Sequence, residues 1–157
     1  EAAPALDAWM GRKVRAIGAT RLAEVLADNE TVLEVELYGN RVGSKGGAKL
    51  GEMLRWNQSL EYLGLGWNML GPAGATALAS ALEQNVGLRL LDLSHNYLGD
   101  LSVRAFADTL RVNTTLTGIS FHGNLISADG ATALAAALRV NSTLQALNLG
   151  SSLMGGV

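Results

Sequence analysis

Apolar residues recur along this chain in two alternating rhythms, one of a strand and one of a helix, and the pair returns every 28 residues. The strand rhythm is an apolar-x-apolar step: Val35 and Leu37, Leu63 and Leu65, Leu91 and Leu93, Ile119 and Phe121, Leu147 and Leu149. Strand side chains alternate in direction, so each pair shares one face. The helix rhythm steps by four: Leu22 and Leu26, Leu50 and Leu54, Leu78 and Leu82, Phe106 and Leu110, Leu134 and Leu138. That step stacks apolar groups along one side of a helix. Between the two stands an asparagine in strict register, at Asn40, Asn68, Asn96 and Asn124. Further apolar columns precede it (Val32, Leu60, Leu88, Leu116) and follow it (Val42, Leu70, Leu98, Ile126). Each unit predicts a short strand, a turn and a helix, giving five helices and at least five strands.

One such unit cannot bury its apolar edge alone, so units stack and share a continuous core. Strands line up in parallel about 4.8 Å apart, whereas packed helices need about 8–10 Å. The mismatch curves the stack, with the sheet on the inner side. The ladder asparagines turn their amides inward to backbone groups of neighbouring turns, because an unpaired buried polar group costs about 1–3 kcal/mol. Gly18, Gly46, Gly74 and Gly130 open the helices and predict a close helix–sheet approach; Ser102 breaks that column. Asn29, Asn57, Asn85, Asn113 and Asn141 close the helices, where asparagine tolerates the left-handed conformation. Trp56, in line with Gln84, Val112 and Val140, reads as core or helix-edge packing.

The pattern LxxLxLxxN, carried from about Gly18 to Met154, resembles the leucine-rich-repeat family in the 28-residue form of ribonuclease inhibitor and NOD-like receptors. The resemblance implies an α/β solenoid, a right-handed horseshoe with a parallel sheet on the concave face and helices on the convex face. It divides a single domain over 1–157 into a degenerate first repeat (1–31), full repeats 32–59, 60–87, 88–115 and 116–143, and a partial last repeat (144–157). Pro4 and Asp7 depart from the pattern. The closing SSLMGGV stops part-way through a unit, which predicts a fragment of a longer array or an edge that meets a partner. The opening lacks an initiator Met and the order of a signal peptide, and reads as a trimmed end.

Composition narrows the partner. There is no cysteine, which excludes a disulfide framework and points to a reducing, cytoplasmic setting. Net charge is −2, with 12 basic and 14 acidic residues, so the basic footprint of a nucleic-acid binder is missing. No apolar run is long enough to insert in a membrane. Nineteen glycines against two prolines fit regular tight turns in an ordered fold.

Function is expected where side chains alternate outward. The outward columns expose acids and aromatics together: Glu34, Glu36, Tyr38, Tyr62, Trp67 and Asp92, with His95 and His122 beside them. Aromatic anchors among charges are the makings of a protein interface, and in ribonuclease inhibitor, which the chain resembles, the concave face grips the partner. The expectation is a non-catalytic scaffold for another protein, with a basic surface favoured by the acids. The column after the ladder asparagine (Arg41, Met69, Tyr97, Leu125, Leu153) reads as half-buried packing between loops, with an exposed docking ridge as the other reading.

Asp92, Ser94 and His122 supply the residue types of a hydrolase triad, with Asp92 and Ser94 about 6.8 Å apart along the strand. No oxyanion donors or closed pocket accompany them, so no catalytic residue is assigned. His95, His122 and Asp92 are too few strong ligands for a metal site, and no phosphate-binding loop or dinucleotide fingerprint implies a cofactor. Two other roles stay open: a structural subunit of a cytoskeletal or ciliary assembly, and a small-GTPase activator, since the chain also resembles Ran GTPase-activating proteins in repeat length and helices and carries Arg41 after a ladder asparagine.

Overall fold

A computed structural model of the chain describes residues 13–152. Among these residues helices and strands alternate as α1 (Arg15–Leu26), β1 (Glu34–Glu36), α2 (Gly43–Trp56), β2 (Tyr62–Gly64), α3 (Gly71–Leu82), β3 (Leu90–Asp92), α4 (Asp100–Leu110), β4 (Gly118–Ser120), α5 (Ala128–Leu138) and β5 (Ala146–Asn148). The strands form one parallel sheet in sequence order. Its register is the sequence period itself: Val35, Leu63, Leu91, Ile119 and Leu147 lie side by side. The chain is an α/β leucine-rich-repeat solenoid. The pairs Pro4–Asp7 and Leu153–Met154 lie outside the described residues.

The core is the layer between sheet and helices, where Leu60, Leu63, Leu65, Leu78 and Leu82 and their counterparts Leu88, Leu91, Leu93, Phe106 and Leu110 are buried, while Leu144, Leu147 and Leu149 of the last repeat are partly buried. Only two phenylalanines occur in the chain, and they meet there. Phe106 of α4 and Phe121 beyond β4 pack edge to face, with centroids 5.3 Å apart at 70°.

The asparagine ladder is a chain of backbone staples. The amide of Asn68 donates to Leu37 O (2.7 Å) and Gly66 O (3.1 Å), and its Oδ1 accepts from Asn40 N (2.9 Å) and Val42 N (3.2 Å). Asn96 and Asn124 repeat the arrangement one unit on. Turning the chain around these amides puts both flanking residues into the left-handed region: Trp67 and Met69 at φ 56° and 59°, His95 and Tyr97 at 52° and 58°.

The closing asparagines differ from expectation. None of them has positive φ; Asn57 is extended at φ −73°, ψ 119°. Asn57, Asn85, Asn113 and Asn141 form a second ladder instead, with the first three buried. Asn85 donates to Leu54 O (2.7 Å) and Asn57 O (2.8 Å), while its Oδ1 accepts from Gly87 N and Leu88 N. Asn57, Asn113 and Asn141 do the same, so each helix end is tied to the one before it. A helix end leaves carbonyls without intrahelical partners, and these amides supply the missing donors.

The glycine column is also corrected: it serves helix–helix, not helix–sheet, approach. A methyl group on Gly46 would lie 3.1 Å from Ala19 Cβ, and one on Gly74 would lie 3.1 Å from Ser44 Cα. Gly51 continues the contact, where a methyl would meet Ala77 O at 2.9 Å. In the same column Ser102 is fully buried and its hydroxyl has no hydrogen-bond partner. Ser102→Ala removes that unmet group and should stabilise the chain by about 1 kcal/mol; a lower urea midpoint than the native chain would contradict this.

Asp100 opens α4 yet caps the next helix. Its carboxylate accepts from Ser127 Oγ (2.6 Å), Ser127 N (2.9 Å) and Gly130 N (3.2 Å) at the start of α5. The Ser127 hydroxyl, then its backbone N–H, hold the carboxyl below its usual 3.8. A depressed folded value means the contribution to stability is whole above the ordinary carboxylate range and is lost as pH falls through the folded value. From about pH 5 downwards the native chain should therefore lose stability more steeply than Asp100→Asn. Parallel urea midpoints against pH would rule the cap out as a source of acid sensitivity.

Candidate functional site

Three carboxylates converge on one phenol at the β1–β3 end of the sheet. Tyr62 of β2 donates to Glu36 Oε2 at 2.8 Å, and Glu36 Oε1 accepts from Tyr38 N at 2.8 Å. Partial burial first, then the Glu36 hydrogen bond and the charges of Glu36, Asp92 and Glu34, push the Tyr62 hydroxyl up to about 12. Among the described residues no lysine, arginine or histidine forms an ion pair with Glu34, Glu36 or Asp92. The negative charge on this face is left to solvent or to a partner.

Beside the acids runs an open groove of about 480 Å³ across β2 to β5, lined by Tyr62, Leu90, Asp92, Gly118, Ser120 and Ala146. Leu90, a leucine in an outward column, is 46% exposed. It leans over Gly118, the next residue in its row, where a side chain would collide with it. The same device recurs across the face: Glu36 lies over Gly64, Tyr38 over Gly66, His95 over Gly123 and His122 over Gly150. Large side chains are thus laid flat along the sheet, each on a glycine of the following repeat.

Seven of the eight outward residues expected to act together separate into two groups. Glu34, Glu36, Tyr62 and Asp92 gather at the acidic end. Trp67, His95 and His122 form an aromatic string along the rim, with Trp67 stacked on His95 (4.3 Å, 25°) and His95 edge-on to His122 (5.0 Å, 77°). Tyr38 is exposed over Gly66. Asp92, Ser94 and His122 are not joined as a triad: Asp92 Oδ1 accepts from the backbone N–H of Ser94 at 2.8 Å. Among the described residues no group of three or more His, Cys, Asp or Glu side chains is arranged to hold a metal.

Leu90, Gly118 and Ala146, which build the groove, were not among the expected contacts. The signal was present as a leucine in a column otherwise read as solvent-facing. Two further readings are corrected. The residues after the ladder asparagines are exposed, not half-buried packing: Met69 57%, Tyr97 62% and Leu125 48%, with Arg41 also exposed. Trp56 is 76% exposed at the end of α2, so it is neither core nor helix-edge filling.

The Leucine Rich repeat family matches residues 57–79 and 84–107. By sequence, no curated protein matches the chain. Among solved structures the fold is similar to leiomodin-1 actin-binding site 2, with a TM-score of 0.78 and 21% identity over 94% of this chain and 80% of that one. It is also similar to the tropomodulin C-terminal domain of Caenorhabditis elegans, with a TM-score of 0.74 and 15% identity over 85% of this chain and 81% of that one. At these identities the likeness carries the fold.

Proposed function

We propose that this leucine-rich-repeat solenoid is a non-catalytic scaffold that holds a partner protein against its concave sheet face. The observation that carries the reading is the apolar groove over Leu90 flanked by unneutralised carboxylates. Exposed apolar surface rimmed by charge is costly to leave in water and typical of an interaction site. Three acids close together repel one another, and a cationic partner surface relieves that repulsion while speeding encounter. The partner therefore presents lysine or arginine beside apolar residues. Affinity capture tests this, with the native chain and a folded Glu36→Lys, Trp67→Ala, Asp92→Lys variant as baits. Partners held by the native chain should be lost by the variant; equal retention would remove the function from this face.

A second reading is favoured by the two similar structures, one an actin-binding site of leiomodin-1 and the other a tropomodulin domain. In that reading the scaffold belongs to a cytoskeletal assembly and the basic partner is a subunit of it. Cosedimentation with filamentous actin is the direct check. A chain that stays in the supernatant at actin concentrations that pellet a leiomodin control would exclude actin and leave the general reading intact.

A further inference from the structure

The column after the ladder asparagine begins one unit earlier than its first asparagine. Val14 N donates to Asn40 Oδ1 and Arg15 N to Asn40 O, so residues 13–15 run beside the turn of the next unit. The column is then Lys13, Arg41, Met69, Tyr97 and Leu125: two cations followed by three apolar side chains, all exposed. Among the described residues no carboxylate forms an ion pair with Lys13 or Arg41, nor with Arg15 or Lys45 nearby in the sequence columns.

The backbone makes this ridge more than scattered exposure. Arg41, Met69 and Tyr97 sit at φ 56°, 59° and 58°. A side chain in that region is strained by contact of Cβ with the following carbonyl, and glycine is the residue that avoids it. Gly43 and Gly71, two residues further on, occupy the region with glycine. Large apolar groups held in strained backbone and shown to water point to use rather than to packing.

We propose that this ridge is a second docking surface, separate from the concave face, for an amphipathic helix with an acidic end. Apolar side chains three and four apart on a helix stand about 5–6 Å from one another, close to the roughly 4.8 Å between adjacent strands. A helix laid across the units therefore sets successive apolar residues against Met69, Tyr97 and Leu125. Its acidic end lies on Arg41 and Lys13. The charge preference is opposite to that of the concave face, so one chain takes two partners, or two parts of one partner, without competition.

The test is selection of a phage-displayed library of helical peptides on the native chain. Clones are then measured against Met69→Gly/Tyr97→Gly, Lys13→Glu/Arg41→Glu and Glu36→Lys/Asp92→Lys. Glycine suits the left-handed backbone, so the first variant keeps its fold, checked by circular dichroism. Clones with an apolar i, i+4, i+7 stripe and a terminal acidic cluster should bind on the order of tenfold more weakly to the first two variants and equally to the third. Recovery of no such clone, or of clones indifferent to the first variant, would overturn the proposal. So would self-association of the native chain that the first variant abolishes, which assigns the ridge to a second copy. Clones sensitive only to the third variant would support the concave-face reading and overturn this one.

Discussion

Phe106→Ala should destabilise the chain by about 3–5 kcal/mol. Phe106 is fully buried in the middle of α4, and its ring edge meets Phe121 across the sheet–helix layer. Truncation loses the transfer free energy of the ring and leaves a cavity that neighbouring leucines, fixed in register by two ladders, cannot close. Loss of the aromatic pair adds about 0.5–1.5 kcal/mol beyond area. Phe106→Leu restores the residue type of the other units and should recover most of the loss. Urea denaturation of the three proteins decides the matter; a Phe106→Ala midpoint within error of the native one would mean that the helix does not pack as described.

Asn96→Ala should cost about 2–4 kcal/mol, for a different reason. No apolar contact of note is lost, but four backbone groups lose their partner at once. Leu65 O (2.8 Å) and Ser94 O (3.0 Å) lose a donor, and Asn68 N and Leu70 N (both 3.1 Å) lose an acceptor. Each such group left dry costs about 1–3 kcal/mol, and a water in the vacated space recovers part of that sum. Asn40 provides the internal control. It is half-buried rather than buried, with its Nδ2 donating to Leu37 O and Tyr38 O and, among the described residues, Val14 N donating to its Oδ1. Asn40→Ala should therefore cost about 1 kcal/mol. Equal losses at the two positions would break the link between ladder burial and stability.

The pattern of apolar positions carried the architecture. Because units are related by one translation, residues 28 apart must be neighbours, and the strand register follows from the period without further assumption. The ladder role of Asn40, Asn68, Asn96 and Asn124 was legible because a polar residue fixed among leucines must satisfy backbone. The same logic applied to Asn57, Asn85 and Asn113, yet a helix-end asparagine has a local explanation in the left-handed cap. Only the stacked structure shows that its amide reaches carbonyls of the preceding unit.

What escaped the pattern depends on distances between layers. Whether Gly46 and Gly74 face a sheet or a helix is not set by periodicity, because both neighbours lie within one unit. Whether Met69 and Tyr97 pack on the next loop or stand in water depends on turn geometry, and the turn proves to be left-handed on both sides of the asparagine. Leu90 was hidden for the opposite reason: its column alternates correctly for exposure, and only the missing side chain of Gly118 lets it lie down and open a groove.

Site-specific photo-crosslinking shows whether a partner sits in that groove. Benzoylphenylalanine is placed singly at Leu90 and Ser120 on the concave face, and at the exposed helix positions Thr76 and Ala135. Each folded protein is irradiated in lysate from the source cells. One common adduct is expected from Leu90 and Ser120, absent from Thr76 and Ala135, and abolished when Glu36→Lys and Asp92→Lys are added. Adducts from the helix positions alone would empty the groove of its partner and move the working surface to the convex side.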